Sequence, residues 1–194
     1  VEVGVQAGAF AEVTLRGWRR CINYTLVDTW APLENYTDSA NVNALSQEHT
    51  LRKALGRVQQ ASQGSLSRVH VCRAQSVVCA ERILDASVDF IYIDARHDYN
   101  GVWEDLVAYW PKLRKDGIMA GHDYMIASEH PNFNISSRRT DAVHIRDDWS
   151  IQADGSRNMR AVKGAVDDFF SGCVHRQLSV TYRETSFNTW LVRK

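Results

Sequence analysis

The sequence predicts a doubly wound α/β fold: a mostly parallel, seven-stranded sheet closed by an antiparallel strand at the carboxyl end. Three observations carry the prediction. Short, continuously apolar runs recur along the chain, amphipathic segments separate them, and two strand-like runs close the carboxyl end. Continuous apolar runs suit strands covered on both faces, as parallel strands joined by crossover helices are.

The elements follow in order. Val1–Val5 is the first strand run, and a helical stretch around Phe10–Arg19 follows it. Tyr24–Asp28, Val69–Cys72, Phe90–Asp94 and Ile118–Gly121 are the next four runs. Between the last two, Val102, Leu106, Val107, Tyr109 and Trp110 mark one helical face, which Pro111 and the turn Lys115-Asp116-Gly117 bring to an end. Arg160–Phe170 reads as a helix with Ala161, Val162, Ala165, Val166, Phe169 and Phe170 inward. Leu178–Arg183 and Ser186–Val192 then form a hairpin on the parallel sheet. Residues 124–158 show no periodicity. A loop of that length at a strand's carboxyl end reads as a substrate lid.

With 194 residues, the chain reads as one domain, 1–194, with 124–158 as a lid-like insertion. Its 44% apolar and 24% charged fractions place it with folded proteins rather than disordered ones. Lys plus Arg and Asp plus Glu both number 23, so no global field gathers nucleic acid or anionic lipid, and no nucleic-acid partner is expected. No apolar run approaches the ~18 residues of a membrane span. Opening on a buried strand suggests a piece of a longer chain, whose targeting is therefore not visible; a cytoplasmic setting is favoured and a homo-oligomer is compatible. Cys21, Cys72, Cys79 and Cys173 form neither a CxxC pair nor a zinc-like spacing, so they read as structural thiols.

The strand ends carry the chemistry. Glu2-x-Gly4-x-x-x-Gly8 places glycines where the backbone must turn sharply and approach a ligand. Its spacing differs from the G-x-G-x-x-G of dinucleotide sites. Asp28 closes the second run, where an acidic residue can read a ribose diol. Asp94, His97, Asp98, His122 and Asp123 follow the fourth and fifth runs, so one crevice collects carboxylates and imidazoles able to bind a divalent ion or move a proton. Asp98 fits a helix cap best. His49, His70, His130, His144 and His175 read as structural or solvated.

These segments, together with Leu26-Val27-Asp28-x-Trp30, Trp110-Pro111-x-Leu113-Arg114-x-x-Gly117 and Gly121-His122-Asp123-Tyr124, resemble class I S-adenosylmethionine-dependent methyltransferases. The similarity is greatest to the branch of macrocin- and mycinamicin-type sugar O-methyltransferases and cephalosporin-hydroxylase-like proteins. It runs from Val1 to about Tyr124 and resumes in the Val162–Phe170 helix and at Trp190. The resemblance implies a Rossmann-like methyltransferase fold, S-adenosylmethionine as cofactor and a small-molecule hydroxyl, on a sugar or phenol, as acceptor. It implies that Glu2, Gly4 and Gly8 line the methionine part, that Asp28 holds the ribose, and that Trp30 with Ala74-Gln75-Ser76 flanks adenine and ribose. It further implies Mg²⁺ at Asp94, His122 and Asp123, with His97 as general base and His122 a further contact to metal or substrate. This chain carries His122 where those relatives carry Glu, and an imidazole suits a softer ion than Mg²⁺. Tyr99, Trp103, Tyr124 and Trp149 are candidates for an apolar wall around the acceptor. Two alternatives stand beside this reading: a silent methyltransferase-like scaffold, and a nicotinamide-dependent oxidoreductase, against which the missing G-x-G-x-x-G argues.

Overall fold

The computed structural model describes residues 1–131, 133, 147–172, 177–181 and 187–194. Its strands are β1 (Glu2–Val3), β2 (Asn23–Asp28), β3 (Arg68–Arg73), β4 (Val88–Ile93), β5 (Leu113–Gly121), β6 (Ser179–Val180) and β7 (Trp190–Arg193). They form one sheet in the order β3-β2-β1-β4-β5-β7-β6. The first five are parallel; β7 runs antiparallel to both β5 and β6. The helices are α1 (Ala9–Gly17), α2 (Ala44–Ala61), α3 (Ser76–Ala80), α4 (Tyr99–Tyr109) and α5 (Ala161–Ser171).

The apolar run of β2 is continuous because that strand feeds two cores. Tyr24 and Leu26 of β2 pack with Ala11 and Leu15 of α1 and Leu51, Ala54 and Val58 of α2. Val27, next after Leu26 and on the opposite face of the pleat, joins Val3, Ile91, Ile93 and Met119 against Leu106 and Tyr109 of α4 and Val166 and Phe170 of α5. The register Glu2↔Leu26 and Glu2↔Tyr92 sets the carboxyl ends of β1, β2 and β4 side by side. The binding edge follows from that alignment.

Several expectations shift. The fifth strand starts at Leu113 rather than Ile118, because the Lys115–Gly117 stretch stays in the sheet through an irregularity between Val88 and Phe90 of β4. Helix α2 is an element the sequence reading did not name, although Asn43 caps it by accepting from Ser46 N–H at 3.0 Å. The described part of the closing hairpin is short, and residues 182–186 lie outside the described residues. Cys72 and Cys79 are joined in a disulfide and are not free thiols as expected. The chain reverses from β3 into α3, which brings the two sulfurs together across the Ala74–Ser76 turn. Cys21 is free and buried; Cys173, His144 and His175 lie outside the described residues. No helix among the described residues is long and apolar enough to cross a membrane.

Candidate functional site

A cleft of about 630 Å³ opens along the carboxyl ends of β1, β2, β4 and β5. That volume suits a cofactor-sized ligand. Glu2, Gly4, Asp28, Ala74, Gln75, Ser76, Asp94, His97, His122 and Asp123 all line it, so the fold gathers most of the residues singled out in the sequence. Non-glycine residues with positive φ also cluster at this edge: Gln6 (48°), Trp30 (40°) and Asp123 (58°). Strained backbone of this kind persists where surrounding contacts enforce it.

At the β1 end, Gly4 (φ +86°) passes directly under β4: a Cβ there would lie 1.9 Å from the Asp94 carbonyl oxygen. The Asp28 carboxylate organises the turn after β1. Its Oδ2 accepts from Val5 N–H and Gln6 N–H, both at 2.9 Å, and its Oδ1 accepts from Trp30 N–H at 2.8 Å. A carboxylate has about four acceptor positions, so three backbone partners leave it with spare capacity. Glu2 is buried at the cleft floor, and its Oε2 accepts from Tyr24 O–H at 2.7 Å. Burial above all pushes the Glu2 carboxyl up to about 8. Behind the cleft, Ser76 O–H donates to buried Asp105, and Tyr109 O–H donates to the Ser76 carbonyl at 2.8 Å, which fixes the Ala74–Ser76 turn. Burial raises the Asp105 carboxyl to about 7.

Two residues lie elsewhere than expected. Trp30 turns inward from its positive-φ position, is 1% exposed, and donates its Nε1–H to the Gln6 carbonyl at 2.9 Å. Gly8 caps α1 and approaches Ala54 of α2, where an added Cβ would sit 3.0 Å from the Ala54 Cα. Neither lines the cleft. Both support its turn from behind.

The far end of the cleft is built around His97. Its Nδ1 is 2.9 Å from Asp38 Oδ2, and its Nε2 is 3.1 Å from Asp123 Oδ2 and 3.4 Å from Asp94 Oδ1. Burial opposes the imidazolium. The Asp38 and Asp94 hydrogen bonds and the charges of Asp123 and Asp38 outweigh it and hold His97 well above its ordinary range. Asp94, His97 and Asp123 each offer a ligand atom, all within 4.8 Å of one another. His122 stands outside this group, with Nδ1 3.1 Å from Asp123 Oδ1. Asp98 caps α4 as expected, accepting from Gly101 N–H at 3.1 Å, and pairs with Arg96.

Of the four aromatic candidates, Trp149 alone lines the cleft. Its ring centroid lies 4.5 Å from that of His97 and 4.4 Å from that of His130. Phe187 stands 5.7 Å from His130. Tyr99 stacks on Trp103, which meets Phe169, while Tyr124 O–H donates to Asp167. Tyr36, Asp38, His130 and Phe187 were missed in the sequence, since each joins the site through a loop that only the fold brings near His97. The signal available for Asp38 was its place in the polar loop just after the second strand end.

A family model described as a methyltransferase domain matches residues 1–124. No curated protein matches the sequence. Among solved structures, the chain is similar to the O-methyltransferase TomG from Streptomyces achromogenes, in complex with SAM (14% identity, TM-score 0.55, covering 99% of this chain and 70% of that one). It is similar to an O-methyltransferase from Bacillus cereus in complex with SAH (13%, TM-score 0.55, 100% and 72%). It is also similar to the N-methyltransferase NodS from Bradyrhizobium japonicum (14%, TM-score 0.52, 100% and 83%). At these identities the likeness is one of fold.

Proposed function

Because the chain belongs to the methyltransferase-domain family, we propose that its cleft binds S-adenosylmethionine and methylates a hydroxyl of a small molecule, a sugar or a phenol. The observation that best supports this reading is the continuity of the cleft, which carries the Gly4 turn and Asp28 at one end and His97, Asp94 and Asp123 at the other. On this reading Glu2 and Gly4 flank the methionine part, the spare lone pairs of Asp28 accept the ribose hydroxyls, and the Ala74-Gln75-Ser76 turn borders the adenine. The acceptor lies between His97 and the rings of Trp149, His130 and Phe187; of the expected 124–158 lid, residues 132 and 134–146 lie outside the described residues.

The chemistry follows from those positions. A hydroxyl is a poor nucleophile until its proton is taken, and His97 Nε2 faces the cleft; because the carboxylates around it favour the imidazolium, it serves as the base only once its own Nε2 proton has left. As that proton moves to Nε2, the oxygen lone pair bonds to the methyl carbon. The carbon–sulfur bond breaks, and its electron pair returns to sulfur, leaving the thioether S-adenosylhomocysteine. The positions must be in line at about 3–3.5 Å. Asp38, Asp94 and Asp123 stabilise the imidazolium that results. The cluster fits a divalent ion, with hard carboxylate oxygens from Asp94 and Asp123 suited to Mg²⁺. Such an ion supplies a lowered pKa to the acceptor hydroxyl. His122 then acts through the Asp123 carboxylate it contacts.

The test offers S-adenosylmethionine with a panel of sugars and phenols, with and without Mg²⁺, and follows release of S-adenosylhomocysteine. Turnover of one acceptor class is expected, and His97→Ala should lower it by ~100-fold or more while product affinity is kept. Unchanged turnover in that variant removes His97 from the mechanism. Product binding without turnover of any acceptor favours the scaffold alternative.

A further inference from the structure

We propose that Asp38 is the positioning residue that holds His97 with its Nδ1 proton toward the protein and its Nε2 toward the cleft. The proposal rests on the reading of His97 as base. Asp38 lies in the loop between β2 and α2, 59 residues before His97, and its side chain is 4% exposed. Three donors converge on its Oδ2: His97 Nδ1 at 2.9 Å, Trp149 Nε1–H at 3.0 Å and Tyr36 O–H at 3.2 Å. Oδ1 accepts from Ala40 N–H at 2.7 Å. An ionised carboxylate only accepts, so Nδ1 must carry a proton, and Nε2 is the ring nitrogen presented to Asp94 and Asp123. The His97 backbone N–H donates to the Tyr36 hydroxyl at 3.0 Å, and the Trp149 ring backs the imidazole. The ring is thus fixed at one nitrogen, at its own backbone and on one face.

A merely structural role for Asp38 would be to tie the 147–158 segment to its loop. That tie exists without it: Asp147 Oδ1 accepts from Ser39 N–H at 2.8 Å, and Asp148 N–H donates to the Thr37 carbonyl at 3.2 Å. Burying a carboxylate is costly, and an amide or hydroxyl would satisfy the Trp149 and Tyr36 donors. What needs the charge is the imidazole. Trp149, in a segment more than a hundred residues away in the chain, shares the same oxygen, so the loop and the 147–158 segment are set together at the base.

The test needs no acceptor. Long-range ¹H–¹⁵N spectra of the labelled protein, with His97 assigned through His97→Gln, report which ring nitrogens carry protons. The expected wild-type result is a protonated Nδ1 with a slowly exchanging, strongly downfield Hδ1 signal. Asp38→Asn, which keeps shape and removes charge, should abolish that signal while S-adenosylhomocysteine binding persists. Trp149→Phe keeps a ring, removes one competing donor, and should move the signal further downfield. A wild-type Nδ1 without a proton, or a signal unchanged in Asp38→Asn, overturns the proposal and leaves cofactor binding untouched as a separate question. Should Asp38→Asn fail to fold, the wild-type spectrum and Trp149→Phe still decide, since an unmoved Hδ1 in the latter also counts against it.

Discussion

Replacing Gly4 by alanine tests whether the turn after β1 and the end of β4 form one mechanical unit. The new Cβ would lie 1.9 Å from the Asp94 carbonyl oxygen, 2.3 Å from its carbonyl carbon and 2.6 Å from the Ala95 Cα. All three are backbone atoms, so no side chain can swing aside. The strands cannot part freely either, because Asp94 N–H donates to the Val3 carbonyl at 2.7 Å and Gly4 N–H to the Val27 carbonyl at 2.9 Å. The φ of +86° adds about 1–2 kcal/mol of left-handed strain for a residue with a Cβ. Overpacking adds about 1–3 kcal/mol, for a total loss of about 2–5 kcal/mol. Gly64→Ala separates the two effects, since Gly64 has φ +70° and open space around it. Urea unfolding should show a loss near the strain alone for Gly64→Ala, and a loss larger by about 1–3 kcal/mol for Gly4→Ala. Titration with S-adenosylhomocysteine should show affinity at least ~10-fold weaker in Gly4→Ala only, because Asp94 and Ala95 must move. Equal losses in the two variants, or full affinity in Gly4→Ala, would refute the reasoning.

Two further predictions concern groups around the cleft. Glu2 holds a proton up to about pH 8 in the folded chain, whereas its ordinary value is 4.5. The folded state therefore binds more protons than the unfolded state across that window, and the contribution of Glu2 to stability falls as pH rises from about 4.5 to about 8. Glu2→Gln should flatten this slope, which is on the order of a few kcal/mol, in urea unfolding measured across that range; an unchanged slope removes Glu2 as its source. The Cys72–Cys79 bridge closes a loop with a sequence separation of 7. Chain entropy then assigns it about 2–2.5 kcal/mol, so the Cys72→Ser, Cys79→Ser double variant should melt roughly 5–10 °C lower. The same melt of the wild type with and without reductant should reproduce that difference, and coincident melts would contradict it.

The sheet was legible because its signal is local. Val27 and Leu26 must both be apolar to feed opposite cores, so doubly covered strands announce themselves as runs, and functional groups at the strand ends follow by position. Asp94, His97, His122 and Asp123 could be placed in one crevice for that reason. Helix α2 went unnamed, although Leu51, Ala54, Val58 and Ala61 recur at helical spacing behind the Asn43 cap. What escaped depends on encounters between distant segments. Asp38 is an ordinary loop acid until β2 and β4 bring it to His97, and His130 and Phe187 meet only after the chain has wound through α5 and β6. The disulfide escaped because a spacing of seven has no motif and depends on the reversal between β3 and α3. Trp30 escaped because its backbone enters the left-handed region directly after β2, and its indole lies in the core and does not line the cleft.

The central claim, that this cleft is a methyl-donor site, is tested most directly by isothermal titration of the folded chain with S-adenosylhomocysteine, with NAD as control. The account predicts micromolar binding of the thioether, none of NAD, and loss of the heat in Asp28→Ala, whose carboxylate both holds the β1 turn and faces the cleft. A folded sample that binds no S-adenosylhomocysteine, or binds it equally well without Asp28, would contradict it.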